Sequence, residues 1–240
     1  MGHKVHPKIH RTPLVNSWDS KWFGRKEQLP GLLKQEVQIR EYLDVKLKDA
    51  GIDSVSVERT PKEVTITILA AKPGVVIGRS GQGLEVLKKD IEKKILQFKH
   101  RVKLNILPVN QPALSARIVG AGIVSEIERR MPFRRVMKQA IEKVMAAGAQ
   151  GVKIKMSGRL NGVEIARQEV LGAGKMSLIT FRSNVDYAIV EAQTLYGKIG
   201  VKVWVYRGEV FSRLDKFGQA TEKAAAKPAG RKSDNDLFRD

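Results

Sequence analysis

From Leu32 to Ala50 apolar residues recur every three or four positions, with Val37, Tyr42, Leu43, Val45 and Leu47 on one face and Gly51 as a stop. That spacing predicts a helix. Beyond Gly51 the period drops to two, and Ser54-Val55-Ser56-Val57-Glu58-Arg59 and Val64-Thr65-Ile66-Thr67-Ile68-Leu69 alternate as strands around a turn at Thr60-Pro61-Lys62. Pro73-Gly74 opens a short helical turn through Ile77, and the hinge Gly78-Arg79-Ser80-Gly81 follows. Leu84, Leu87, Ile91 and Ile95 then carry a longer helix from about Gly83 to Phe98, and a strand over Val102 to Leu107 completes this half.

Pro108 and Pro112 bracket the linker where a domain boundary is expected. Beyond it, Leu114 to Arg130 reads as a helix that Met131-Pro132 breaks or kinks, and a second helix runs from Phe133 to Ala147 with Gly148 as its stop. Gly151 to Ser157 alternates as a strand, with further strands expected at Gln168 to Leu171, Met176 to Val185 and Gly200 to Arg207, and a helix at Ala188 to Tyr196. The fold class is α/β, of α+β arrangement, the second half being a small mixed sheet packed on helices. The expected organisation is an N-terminal arm over 1–30, one unit over 31–108, a second over 109–212, and a disordered basic tail over 213–240.

Charge narrows the choice of partner. Forty-four Lys and Arg oppose 25 Asp and Glu, a formal net charge of +19, which is retained most readily when the partner is a polyanion. A membrane reader would show a long apolar span or a basic amphipathic helix with large apolar side chains, and no membrane is expected. The N-terminus has no apolar run to serve as a signal-peptide core, and the absence of cysteine fits a reducing compartment, so the expected location is cytoplasmic.

Two constellations suit a polyanion. In Gly78-Arg79-Ser80-Gly81 the glycines let the main chain turn sharply and approach a ligand, with Arg79 facing the anion. Neither a dinucleotide fingerprint nor a G-x-x-x-x-G-K-[ST] loop includes these glycines. The second is Arg129-Arg130-Met131-Pro132-Phe133-Arg134-Arg135-Val136-Met137-Lys138. At roughly 100° per residue, Arg134, Arg135 and Lys138 share one face while Phe133, Val136, Met137, Ala140 and Val144 share another. Arg134 and Arg135 also stand in the first turn, against the helix dipole. A solvated basic face would have the same composition.

Other chemistry is poorly supported. His3, His6 and His10 lie in a segment without fixed geometry, so no metal site or cofactor is expected, and the acids form no pair with acid and base roles. No enzyme is expected.

The order helix, strand, strand, helix, Gly-x-x-Gly, helix, strand (αββααβ) resembles the type II KH nucleic-acid-binding domain, whose loop clamps about four backbone nucleotides. Further strings carry a closer likeness. Gly2-x-Lys4-Val5-His6-Pro7 with Trp18-x-x-x-Trp22-Phe23, Pro73 through Gly81, Ser157-Gly158-Arg159-Leu160-x-Gly162-x-Glu164-x-Ala166-Arg167, and Thr194 through Trp204 together resemble the family of bacterial small-subunit ribosomal protein three. That resemblance implies a structural protein of the small-subunit head that binds 16S rRNA and lies against small-subunit ribosomal proteins ten and fourteen. It also implies a lining for the channel by which mRNA enters, with Arg129, Arg130, Arg134, Arg135 and Lys138 toward the message and supporting its unwinding. Gly78, Arg79, Ser80 and Gly81 are then the RNA-binding KH loop, and Lys4, His6, Trp18 and Trp22 an rRNA-binding arm. The competing expectations are a free-standing KH regulator and, from another class, a DNA-repair lyase using a lysine amine.

Overall fold

Two hydrophobic clusters with no residue in common organise the chain, one drawn from residues 39–102 and the other from 116–205. The computed structural model describes residues 4–12, 14–98 and 100–211; the expected tail over 213–240 lies outside the described residues.

The first cluster forms between a sheet and three helices. Helix α1 (Pro7–His10) and strand β1 (Ser20–Lys21) precede helix α2 (Leu29–Lys46), strands β2 (Ile52–Arg59) and β3 (Glu63–Ala70), helices α3 (Pro73–Ile77) and α4 (Gln82–Lys94), and strand β4 (Arg101–Pro108). β2 and β3 are antiparallel, whereas β3 and β4 run parallel, which requires the crossover that α3 and α4 provide. β1 adds a parallel edge to β2 through Ser20 and Lys21, a pairing too short for any periodic signal. The buried stripe of α2 is Glu36, Ile39 and Leu43, continued by Leu47. Val37 and Val45, expected on the apolar face, are 46% and 76% exposed. The helix is turned to bring Glu36 inward, where Ser20, Trp22 and Arg40 all donate to it.

The second cluster lies under helices α5 (Ala116–Glu128) and α6 (Phe133–Ala146), packed on strands β5 (Gly151–Gly158), β6 (Arg167–Gly174), β7 (Ser183–Thr194) and β8 (Gly197–Glu209). The strand order is β6-β5-β8-β7. Three expectations fail here. Every pair in this sheet is antiparallel, so the sheet is not mixed; β7 and β8 form a hairpin with no crossover helix between them. Ala188 to Tyr196 is not a helix either, because Ala188 to Thr194 continues β7 and pairs with β8 as far as Thr194 opposite Gly197. Likewise Met176 to Arg182 is irregular, and the strand begins at Ser183.

Polar contacts tie the two halves together. Ser115, the N-cap of α5, accepts from the Ile118 amide at 3.3 Å and donates to Asp53 of β2, while Arg117 donates to Asp44 of α2 at 2.6 Å.

Candidate nucleic-acid interface

Gly78 closes α3 by donating its amide to the Gly74 carbonyl at 3.0 Å, with φ 71° and ψ −176°. Ser80 (φ 52°) and Gly81 (φ 79°) continue the left-handed path into α4. Two such positions suit glycine, and the third is taken by a small polar residue. Gly78, Arg79 and Ser80 are exposed, so the main chain at the hinge is open to a ligand. A further glycine completes the turn. A Cβ at Gly83 would lie 2.9 Å from the Val76 carbonyl oxygen and 3.0 Å from that of Ile77, so α4 starts against the backbone of α3 only because residue 83 has no side chain.

The basic constellation folds into a turn between two helices. α5 ends with the Arg130 amide donating to the Ile127 carbonyl at 2.8 Å and the Met131 amide to that of Glu126 at 3.1 Å. This is a Schellman motif, and its left-handed position, usually glycine, is held by Arg130 at φ 63°. Pro132 follows as the stop and caps α6, which therefore begins as a separate helix. In α6 Val136, Met137, Ala140 and Val144 are buried while Arg134, Arg135 and Lys138 are exposed, as are Arg129 and Arg130 on the turn. Opposing the dipole with two first-turn arginines costs a few tenths up to about 1 kcal/mol each.

These cations overlook a groove of about 600 Å³ between α6 and β6. Phe133, Met137 and Leu171 give it an apolar floor, and Arg135, Lys138 and Glu169 a charged rim. Arg134 reaches across it, 3.3 Å from Glu169 and 5.7 Å from the centre of the Phe133 ring. Glu169 belongs to no local sequence motif, and the sequence marks Gly83 only as the start of a helix, not as the point where two backbones meet.

The arm residues separate. Lys4 is exposed, and Trp18 is 63% exposed. Trp22 is half-buried and donates its indole N–H to Glu36 at 2.5 Å, so its polar atom has an internal partner. His6 meets the Tyr187 ring edge-on with centroids 4.8 Å apart, and burial, then the charge of Lys8, lowers its pKa from the ordinary value. What docks the arm is Arg11, fully buried, which donates to the carbonyls of Leu178 at 2.8 Å and Thr180 at 3.0 Å, and to that of Pro7 at 3.0 Å. Lys8 pairs with Asp186 at 2.6 Å. Burial alone would raise the Asp186 pKa, but Lys8, the Ala116 amide and Arg207 outweigh it and hold the carboxyl below its usual range. Glu36 behaves alike: burial pushes upward, and the hydrogen bonds from Ser20, Arg40 and Trp22 bring the net shift down. No local pattern marks Arg11 or Asp186, whose partners are distant in sequence.

Among the described residues no helix is long and apolar enough to cross a membrane.

Two family models match the chain: KH domain over residues 38–114, and Ribosomal protein S3, C-terminal domain, over residues 123–205. Among similar proteins, the small ribosomal subunit protein uS3 of Laribacter hongkongensis is 46% identical over 210 residues, covering 88% of this chain and 89% of that protein. The uS3 protein of Carboxydothermus hydrogenoformans is 43% identical over 222 residues, 92% of this chain and 99% of its own. That of Shouchella clausii is 47% identical over 210 residues, with 88% and 94% covered.

Proposed function

The chain belongs to the family of small ribosomal subunit protein uS3, and on that premise we propose that it is a structural, non-enzymatic constituent of the small-subunit head in the cytoplasmic ribosome. It binds 16S rRNA, lies against small-subunit ribosomal proteins ten and fourteen, and lines the channel by which mRNA enters. Phosphate contacts from its surplus of Lys and Arg supply most of the affinity and make it strongly salt dependent. Neither the free-standing regulator nor the lyase is needed to explain a chain of this family.

The observation that carries the channel reading is the turn from Arg129 to Lys138. All five cations there are exposed, Arg130 occupies a backbone position that favours glycine, and Arg134 and Arg135 oppose the dipole of their own helix. Local stability has been set aside to display charge, which is a mark of function. The open KH loop at Gly78, Arg79, Ser80 and Gly81 is the second RNA contact, and Lys4 and Trp18, both exposed in the arm, are free to meet rRNA. His6 and Trp22 are held against the body of the protein by Tyr187 of β7 and Glu36 of α2.

The test is a salt-washed sucrose gradient of a lysate, followed by photocrosslinking from position 135 to a message on the small subunit. Co-migration with small subunits and a crosslink downstream of the decoding site are expected. Release of the protein into the soluble pool would contradict the ribosomal role, and a crosslink to rRNA alone would contradict the channel.

A further inference from the structure

Arg134 makes two contacts in the groove between α6 and β6: its guanidinium lies over the Phe133 ring, 5.7 Å from the centroid, and its Nη2 is 3.3 Å from a Glu169 oxygen. A flat cationic group therefore already stands over an aromatic ring and points one N–H donor at a carboxylate. An unpaired guanine can make both contacts, with a π-face and two adjacent donors, N1–H and the exocyclic amine, on its Watson–Crick edge. We infer that this groove is a binding pocket for a single unpaired base of the RNA strand, with guanine preferred, and that Arg134 holds its place until RNA arrives. The inference rests on the channel reading given above.

The exchange is physically easy. The Arg134 side chain is 74% exposed and that of Glu169 36%, and an ion pair so open to solvent contributes little, so displacing it costs little. The base takes over both contacts: it stacks on Phe133, above an apolar floor completed by Met137 and Leu171, and gives its two donors to the Glu169 carboxylate. The freed Arg134 joins Arg135 and Lys138 on the strand's phosphates. The groove's volume, about 600 Å³, falls within the range of pockets that enclose small ligands. Charge argues for a specific role of Glu169, because an acid facing a polyanion weakens binding unless it reads a donor. Alternation along β6 aims Glu169 and Leu171 toward α6 and leaves Gln168 and Val170 exposed. A base held here could not re-pair with its former partner, which gives the channel a means of retaining a melted strand.

The test uses the full chain carrying Arg79→Asp and Ser80→Asp, so that the KH loop does not compete, and short uridine-rich single strands bearing one central guanine, adenine or abasic residue. The guanine strand is expected to bind about tenfold more tightly than the abasic one, the discrimination that one good base-edge pair supplies. Glu169→Gln should erase the preference for guanine over adenine while leaving abasic binding equal or tighter, since a negative charge is lost. Phe133→Leu should weaken both base-bearing strands and spare the abasic one. Equal affinity for all three strands, or a guanine preference that survives Glu169→Gln, would overturn the pocket. If replacing Arg134, Arg135 and Lys138 by alanine weakens abasic binding while guanine is not preferred, the channel reading stands and the pocket alone falls. If that triple replacement leaves abasic binding unchanged, the channel reading fails and takes the pocket with it.

Discussion

The Lys8 ammonium stands 2.6 Å from the Asp186 carboxylate, joining the N-terminal arm to a buried acid that also receives the first amide of α5, from Ala116 at 2.6 Å, and the Arg207 guanidinium at 3.5 Å. One side chain thus fixes the arm, α5 and β8. Asp186→Ala leaves the buried Ala116 amide and the Lys8 ammonium without their acceptor, while Arg207 keeps the Leu114 carbonyl, and a loss of about 1–3 kcal/mol is expected in urea unfolding. The pH dependence has a definite sign. Because the native carboxyl titrates below its usual range, its stabilisation is full above about pH 4 and is lost as pH falls through the lower native value. The parent should therefore lose more stability in acid than Asp186→Ala, which keeps the Glu36 contribution to that loss, and parallel acid curves would count against this role.

Arg130 carries a side chain where the Schellman turn favours glycine. Arg130→Gly is expected to raise the unfolding free energy by up to about 1 kcal/mol, the relief of the left-handed backbone less the added freedom of the unfolded chain. The same change should reduce the slope of log affinity for RNA against log salt by about one. A variant that gains stability with no change in slope would show that Arg130 does not meet phosphate.

Gly83→Ala should cost about 1–3 kcal/mol, since the new methyl group meets two backbone oxygens that cannot move without separating α3 from α4. The hinge residues on either side would shift with it, so RNA affinity should fall in parallel. Gly74→Ala, with open space at its Cβ, is the control and should be tolerated much better.

Replacing Arg79 and Ser80 together by aspartate should weaken RNA binding about tenfold or more, through one lost phosphate contact and two repulsions. The fold should remain cooperative, because both side chains are exposed and aspartate tolerates the left-handed conformation of Ser80 better than most residues. An unchanged affinity at low salt would remove the loop from the interface.

What could be read in the sequence follows from how many faces of each element are covered. α6 buries one stripe and exposes the other, so Val136, Met137, Ala140 and Val144 announced both the helix and its cationic face. β3 alternates cleanly for the same reason, and β2 does so over Val55 to Glu58, beyond the irregularity between Ile52 and Ser54. β7 does not: Asp186, Ala188 and Ala192 lie toward α5 while the arm covers Tyr187 on the other face, so Val185 to Ala188 are buried in succession and the period of two disappears. Two alanines spaced by four then mimic a helix. The arm's role was hidden similarly, because Arg11 binds main-chain carbonyls more than 160 residues away, and carbonyls carry no sequence signature. Glu169 faces Arg134 across a sheet edge, a pairing only the register of β6 on β5 reveals.

The central claim is that the turn from Arg129 to Lys138 faces incoming mRNA. Small subunits reconstituted with Arg134→Ala, Arg135→Ala and Lys138→Ala together provide the most direct test, with translation measured on two messages that differ only in a stable downstream hairpin. Normal assembly and normal translation of the open message are expected, with a selective loss on the hairpin message. Equal translation of both messages, or a failure of assembly that leaves unwinding intact in the subunits that do form, would contradict the claim.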